Sequence, residues 1–285
     1  MKRKSEPLLS PFRYPGGKSW LRPIARQWLK QPTHRLIEPF AGGANITLLA
    51  LSEKMVSRAT MVELDANVSA VWQSVLNGQS EWLSKRVESF KPTKANVKLT
   101  FRRRPRSLRQ KAWVTLVRNR VSYGGLLTPC AGLLKNGENG NGLWSRWYPQ
   151  TLATRIRSIN KLKRRINFVS GDGIEWLEKR RNQFDGLQTA YFIDPPYLLA
   201  GKRLYSENEL NHRRLFEIAS ILEGRVLMTY DDTPEIRALA REFGFKYRSV
   251  RMLSRQHQTK TELLIAKDFS WLKNLKHTRQ ARSLK

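Results

Sequence analysis

The chain of 285 residues carries 53 Lys and Arg against 23 Asp and Glu, a formal charge of +30. A hydrophobic fraction of 40%, with 9 Trp, 11 Phe and 8 Tyr, supplies a core for one large domain or for one domain with an insertion; the single cysteine, Cys130, excludes an internal disulfide and a multi-cysteine zinc site. No apolar run approaches the roughly 20 residues that span a bilayer, and no apolar stretch follows the basic start Met1–Lys4, so the expectation is a soluble, cytoplasmic protein with neither a membrane nor a metal partner.

Residues 1–12 read as a basic arm. Arg13-Tyr14-Pro15-Gly16-Gly17-Lys18 is turn chemistry leading into a helix with Trp20, Leu21, Ile24, Trp28 and Leu29 at apolar positions. Arg35-Leu36-Ile37 reads as a strand that runs into Glu38-Pro39-Phe40-Ala41-Gly42-Gly43, followed by a helical pattern through Leu51. Thr60-Met61-Val62 is a second strand, and Val68, Val71, Trp72 and Val75 share one face of the next helix. This βαβα alternation is that of a parallel sheet with helical crossovers. It breaks near Pro92. From 92 to 149 the chain is basic, aromatic and turn-rich, with Gly124-Gly125, Asn136-Gly137 and Asn139-Gly140-Asn141-Gly142 marking loops or hairpins. Helical spacing resumes over Leu152–Leu162. Strands follow at Asn167–Val169, Ala190–Ile193 and Arg225–Thr229, then a helix at Pro234–Phe243 and strands at Tyr247–Met252 and Glu262–Ala266. A catalytic domain of residues 1–91 and 150–269, an inserted module of 92–149 and a basic tail of 270–285 are expected.

The charge is clustered. Basic residues crowd Lys85–Lys98, continue through Arg102, Arg103, Arg104, Arg106, Arg109 and Lys111, and recur at Arg155–Arg165 and in the tail from Lys273. Trp113, Tyr123, Trp144, Trp147 and Tyr148 lie between the first two clusters. Cations for phosphates together with planar groups for bases form a nucleic-acid footprint, whereas a merely solubilising surface would carry a more even mixture of signs.

Glycines between the first strand and its helix let backbone approach a ligand. The segment lacks the spacing of a dinucleotide or phosphate-cradling loop, so a ligand without phosphates suits it better. An acid at the end of the second strand, Asp65 or its rival Glu63, is placed to bond ribose hydroxyls. The strongest signal is Tyr191-Phe192-Ile193-Asp194-Pro195-Pro196-Tyr197, a buried strand that ends in an acid, two prolines and an aromatic. Asp194 and the Pro195 carbonyl are two acceptors for one amino group, and Tyr197 offers a stacking face for a planar base. Two acceptors draw the amine toward tetrahedral geometry for in-line attack on a methyl group. His212 reads as a helix start. Asp172 reads as a helix cap.

Together these segments resemble the Dam-type adenine-N6 DNA methyltransferases. Tyr14-Pro15-Gly16-Gly17-Lys18, Glu38-Pro39-Phe40-Ala41-Gly42-Gly43, Asp65-Ala66-Asn67 and Asp194-Pro195-Pro196-Tyr197 match four family motifs in order. The resemblance implies a Rossmann-like α/β S-adenosylmethionine-dependent methyltransferase sheet with an inserted helical and loop target-recognition module. It implies S-adenosylmethionine as cofactor, held by Tyr14, Lys18, Phe40, Ala41, Gly42, Asp65, Asp172 and Asp194, and catalysis by Asp194, Pro195, Pro196 and Tyr197. It also implies base flipping of adenine out of double-stranded DNA. Asn119-Arg120-Val121-Ser122-Tyr123 resembles the family's recognition element, so DNA contacts are expected from Arg102, Arg103, Arg104, Asn119, Arg120 and Tyr123. Gly124 and Thr128 stand where GATC readers carry Asn and Arg, which points to a preference that differs from GATC or is relaxed. An RNA adenine methyltransferase and a catalytically idle DNA-binding protein are the alternatives. The motifs suit a solitary phage methylase as well as the modification partner of a restriction system.

Overall fold

The computed structural model describes residues 10–13, 18–128, 130–137, 140–184, 188–196, 210–253 and 259–273. Seven strands form one sheet: β1 (Arg35–Glu38), β2 (Arg58–Glu63), β3 (Ile166–Ser170), β4 (Thr189–Ile193), β5 (Arg225–Asp231), β6 (Lys246–Leu253) and β7 (Thr259–Ala266). Their order across the sheet is β3-β2-β1-β4-β5-β7-β6. The first five run parallel, and β7 is antiparallel to both β5 and β6. The order turns back between β1 and β4, which opens a crevice at the carboxyl ends of these two strands.

Strand composition follows from burial on two faces. In β4, Ala190 and Phe192 join one apolar cluster while Tyr191 and Ile193 join the other. The first cluster is covered by α1 (Arg22–Trp28), α2 (Asn45–Ser52), α3 (Ala66–Leu76), α4 (Ser80–Ser89), α5 (Lys94–Arg102), α6 (Leu108–Val121) and α7 (Pro149–Lys161). The second is covered by α8 (Gly173–Arg180), α9 (His212–Ile221) and α10 (Pro234–Glu242). Side-chain caps set several helix starts: Asp65 for α3, Thr93 for α5, Ser107 for α6, Asp172 for α8, Asn211 for α9 and Thr233 for α10. His212 is therefore the first residue of α9, with Asn211 as its cap.

The basic stretch 92–149 contains more helix than its turn signals suggest. Its first half forms α5 and α6, with Lys94, Lys98 and Arg102 on the exposed side of α5. The glycine turns occupy the second half, where Ser122 and Leu133 form a single antiparallel bridge. This stretch has no core of its own. Val97, Trp113, Leu116, Val117 and Trp147 belong to the same buried cluster as Leu36 and Met61 of the sheet. Trp147 is fully buried, lies edge-on to Trp113 with ring centroids 6.0 Å apart, and its indole donates to the Val87 carbonyl at 3.3 Å. Trp147→Ala is expected to cost about 3–5 kcal/mol. Urea unfolding followed by tryptophan fluorescence and far-UV circular dichroism should show one shifted transition; two separated transitions would mean that 92–149 folds independently.

Candidate active site

Four consecutive strands across the sheet, β3, β2, β1 and β4, end on the same edge. Each delivers an acid or a glycine-containing loop there: Asp172, Glu63 with Asp65, Phe40–Gly43, and Asp194. Gly173 brings the outermost of these inward. A Cβ at this position would stand 2.1 Å from the Pro39 carbonyl oxygen, so only glycine lets the start of α8 touch the loop after β1.

The three aspartates share one arrangement. Asp65 Oδ1 accepts from the amides of Asn67 (2.7 Å) and Val68 (3.3 Å), and Asp172 Oδ1 accepts from those of Ile174 (2.7 Å) and Glu175 (3.0 Å). Asp194 Oδ1 accepts from Thr229 Oγ1 on β5 at 2.7 Å and lies 3.1 Å from Lys18 Nζ. In each case the protein occupies Oδ1, and Oδ2 takes no partner among the described residues. One oxygen fixes the carboxylate and the other remains an acceptor for a ligand. The geometry separates Asp65 from Glu63. Both Glu63 oxygens hold backbone, Oε2 that of Gly42 (2.7 Å) and Oε1 that of Asp65 (2.8 Å). Glu63 therefore shapes the two loops while Asp65 keeps an oxygen exposed. Asp172 is a cap, as one of the two readings holds.

Lys18 is nearly buried. Burial acts to lower its ammonium, but Asp194 and Glu262 beside it outweigh that effect and hold it above the ordinary lysine value. Its Nζ donates to Glu262 Oε2 at 2.8 Å. Glu262, on β7, is a site residue that the motifs do not include; the available signal was a lone acid among Leu263, Leu264 and Ile265. Beneath the edge, Glu38 accepts the Thr47 amide at 3.1 Å, and burial pushes its carboxyl up to about 8. Burial likewise raises Glu63 to about 7, against backbone hydrogen bonds that lower it. Glu63 retains some contact with solvent, so Glu38 carries more of the effect. Pro195 is buried directly after Asp194, and Pro196 is half-buried. Tyr14 and Tyr197 lie outside the described residues.

A profile of the D12 class N6 adenine-specific DNA methyltransferases matches residues 14–253. The chain belongs to this family. Similar solved structures include the rRNA methyltransferase AviRa of Streptomyces viridochromogenes, at 11% identity over 87% of this chain and 84% of that one with a TM-score of 0.40. Another is a precorrin-6y C5,15-methyltransferase of Geobacter metallireducens, at 9% identity over 88% of each chain with a TM-score of 0.39. No curated protein sequence matches the chain.

The cofactor of this methyltransferase is S-adenosylmethionine, and the edge suits it. Nothing lies within 4 Å of where a Gly42 side chain would project, leaving open space beside the loop. Unused carboxylate oxygens at Asp65 and Asp194 flank that loop, offering acceptors for hydroxyls and negative charge for a sulfonium. Phe40 and Ala41 line the loop, whose Ala41 amide is tied to the Val62 carbonyl at 2.9 Å and whose Gly42 carbonyl accepts from the Trp72 indole at 2.9 Å.

The recognition stretch of the methyltransferase departs from expectation at two residues. Asn119 and Arg120, expected to contact DNA, are buried. Asn119 accepts the Arg13 amide at 2.8 Å and donates to the carbonyls of Arg13 (2.9 Å) and Gly125 (2.8 Å), and Arg120 donates to the Pro11 carbonyl at 2.6 Å. A Cβ on Gly125 would stand 2.3 Å from the Arg13 carbonyl oxygen. These residues clasp the segment leading to Lys18, because buried side chains bonded to that backbone cannot reach a duplex. Tyr123 is 63% exposed, and Arg102, Arg103 and Arg104 lie on the surface.

The raised carboxyls carry a stability consequence. Folded Glu38 holds its proton up to about pH 8, whereas the unfolded residue loses it near 4.5. The folded state therefore binds more protons within this window, and stability falls as pH rises through it. His212, pushed down by burial, acts in the opposite direction only around its ordinary value of 6.5. Between pH 7 and about 9 the melting temperature should fall by on the order of 5 °C. Calorimetry of Glu38→Gln should show that decline flattened; a decline as steep as that of the parent would refute the assignment to Glu38.

Proposed function

We propose that this chain transfers the methyl group of S-adenosylmethionine to the N6 amine of adenine in double-stranded DNA, with a sequence preference that differs from GATC or is relaxed. The observation that carries the reading is Asp194 at the end of a central strand, with Oδ1 anchored by Thr229 and Lys18 and Oδ2 left for a ligand. When bound, S-adenosylmethionine supplies an electrophilic methyl group on a sulfonium. Asp194 Oδ2 accepts one N6 hydrogen, and the Pro195 carbonyl is the second acceptor. Together they orient the amine lone pair and stabilise the positive charge that grows on N6. Pro195 and Pro196 have no amide hydrogen to compete for these acceptors. Tyr197 stacks on the base.

The target must leave the helix to reach this edge, at a cost of a few kcal/mol that phosphate contacts offset. Arg102, Arg103 and Arg104 suit that role, being exposed and without an ion-pair partner among the described residues. Exposed Tyr123 suits insertion into the duplex. Phosphate contacts give affinity without reading sequence, and Gly124 and Thr128 lack the amide and guanidinium groups that read adenine and guanine.

Unmethylated duplex DNA incubated with labelled S-adenosylmethionine and digested to nucleosides should yield N6-methyldeoxyadenosine. Asp194→Ala should lose about 10²–10³-fold in rate. Mapping of the product should find methylation in many adenine contexts; a single dominant motif would sink the relaxed preference. Product on RNA alone would replace the substrate.

A further inference from the structure

We propose that Glu262 is a positioning residue for methyl transfer: it takes one side of the Lys18 ammonium, which in turn holds Asp194 toward the target amine. This rests on the adenine-N6 reading above. Glu262 lies beyond the stretch matched by the family profile, which ends at residue 253.

The antiparallel direction of β7 brings it there. Glu262 pairs across from Asp231 at the end of β5 and from Val250 on β6, so a strand running the opposite way delivers its early residues to the edge where the parallel strands finish. Leu263, Leu264 and Ile265, which follow it, are buried core, and Glu262 itself is only 7% exposed. A buried carboxylate persists where an opposite charge meets it. Lys18 Nζ provides that charge at 2.8 Å, and the same nitrogen stands 3.1 Å from Asp194 Oδ1.

Among the described residues, Lys18 and Asp194 sum to zero, and Glu262 adds one negative charge on the other side of the ammonium. Other groups face it from the neighbouring elements. The Asp194 charge acts on Glu38 at the end of β1 and on Tyr230 of β5, and Thr229 on β5 donates to Asp194. Asp231 lies opposite Glu262, and the Trp20 ring lies 6.0 Å from the Lys18 ammonium.

During transfer the N6 lone pair forms the new N–C bond, and the electron pair of the breaking S–C bond stays on sulfur. Positive charge arrives on N6 and leaves as a proton, taken by Asp194 Oδ2 and passed to solvent. The Lys18 ammonium is shared between two carboxylates, so Glu262 holds Lys18 in position and Lys18 holds the acceptor in place.

The test compares the wild-type chain with Glu262→Gln and Glu262→Asp in two measurements. In the ligand-free protein, the ¹⁵Nζ resonance of Lys18, assigned with Lys18→Arg, is titrated with pH. In steady state, kcat and KM for the duplex are followed across pH. Removing the Glu262 charge takes an acid from Lys18, which lowers the Lys18 titration. Glu262→Gln should therefore move the Lys18 resonance to lower pH by roughly one unit, with the alkaline limb of the kcat profile following, and reduce kcat about tenfold with KM for the duplex little changed. Glu262→Asp should restore both. A lower kcat with an unmoved limb and an unmoved Lys18 titration would reduce Glu262 to a structural residue and overturn the proposal, as would no change in either. A wild-type chain that leaves the duplex unmethylated would overturn the adenine reading, and the Lys18 titration would still decide the proposal.

Discussion

An ammonium taken out of water must find anionic partners, and Lys18 finds two on strands that are far apart in the chain. Asp194 reaches it from β4 and Glu262 from β7. That contact ties the short helical turn at Lys18–Leu21 to the middle of the sheet. It also orients the acid that the chemistry needs, because the carboxylate oxygen engaged by Lys18 is the one engaged by Thr229. The segment that carries Lys18 is itself held from the other side. Asn119 and Arg120 of α6 bind the backbone of Pro11 and Arg13, so the 92–149 stretch and Asp194 are linked through about eight residues of chain.

The acids along the edge divide their labour by oxygen atom. Each aspartate stabilises local structure with Oδ1, by capping a helix or by bonding Thr229 and Lys18, and leaves Oδ2 without a partner among the described residues. Glu63 and Glu38 serve the backbone instead, and burial leaves their carboxyls raised. Such preorganisation is what an enzyme of this family requires, since the attacking group comes from the substrate and the protein contributes orientation and charge.

Much of this was legible before the fold. The strand and helix pattern on either side of the recognition stretch followed from apolar periodicity, and each strand read from the sequence appears in the sheet. Asp65, Gly42 and Asp194 stood at strand ends where an open α/β sheet binds its ligand. The helices α5 and α6 were harder to see: their basic residues mask the apolar spacing, and Val97 becomes core only when α5 packs on α6, as Leu116 and Val117 do when α6 packs on α3. Asn119 and Arg120 misled for a related reason. An amide beside a guanidinium in a basic segment looks like a DNA contact, but their partners, the carbonyls and amide near Arg13, lie more than 100 positions earlier in the chain.

The sequence by itself determined the α/β class, the order of the elements, the acid-and-proline strand exit and the charge that calls for a polyanion, because these depend on local periodicity, residue chemistry and composition. The tertiary structure alone decided which oxygen of each aspartate has no partner among the described residues, that Asp65 and not Glu63 keeps one, and that Glu262 meets Lys18. Those outcomes depend on strands adjacent in space and distant in sequence, and on the antiparallel direction of β7, which no local pattern encodes.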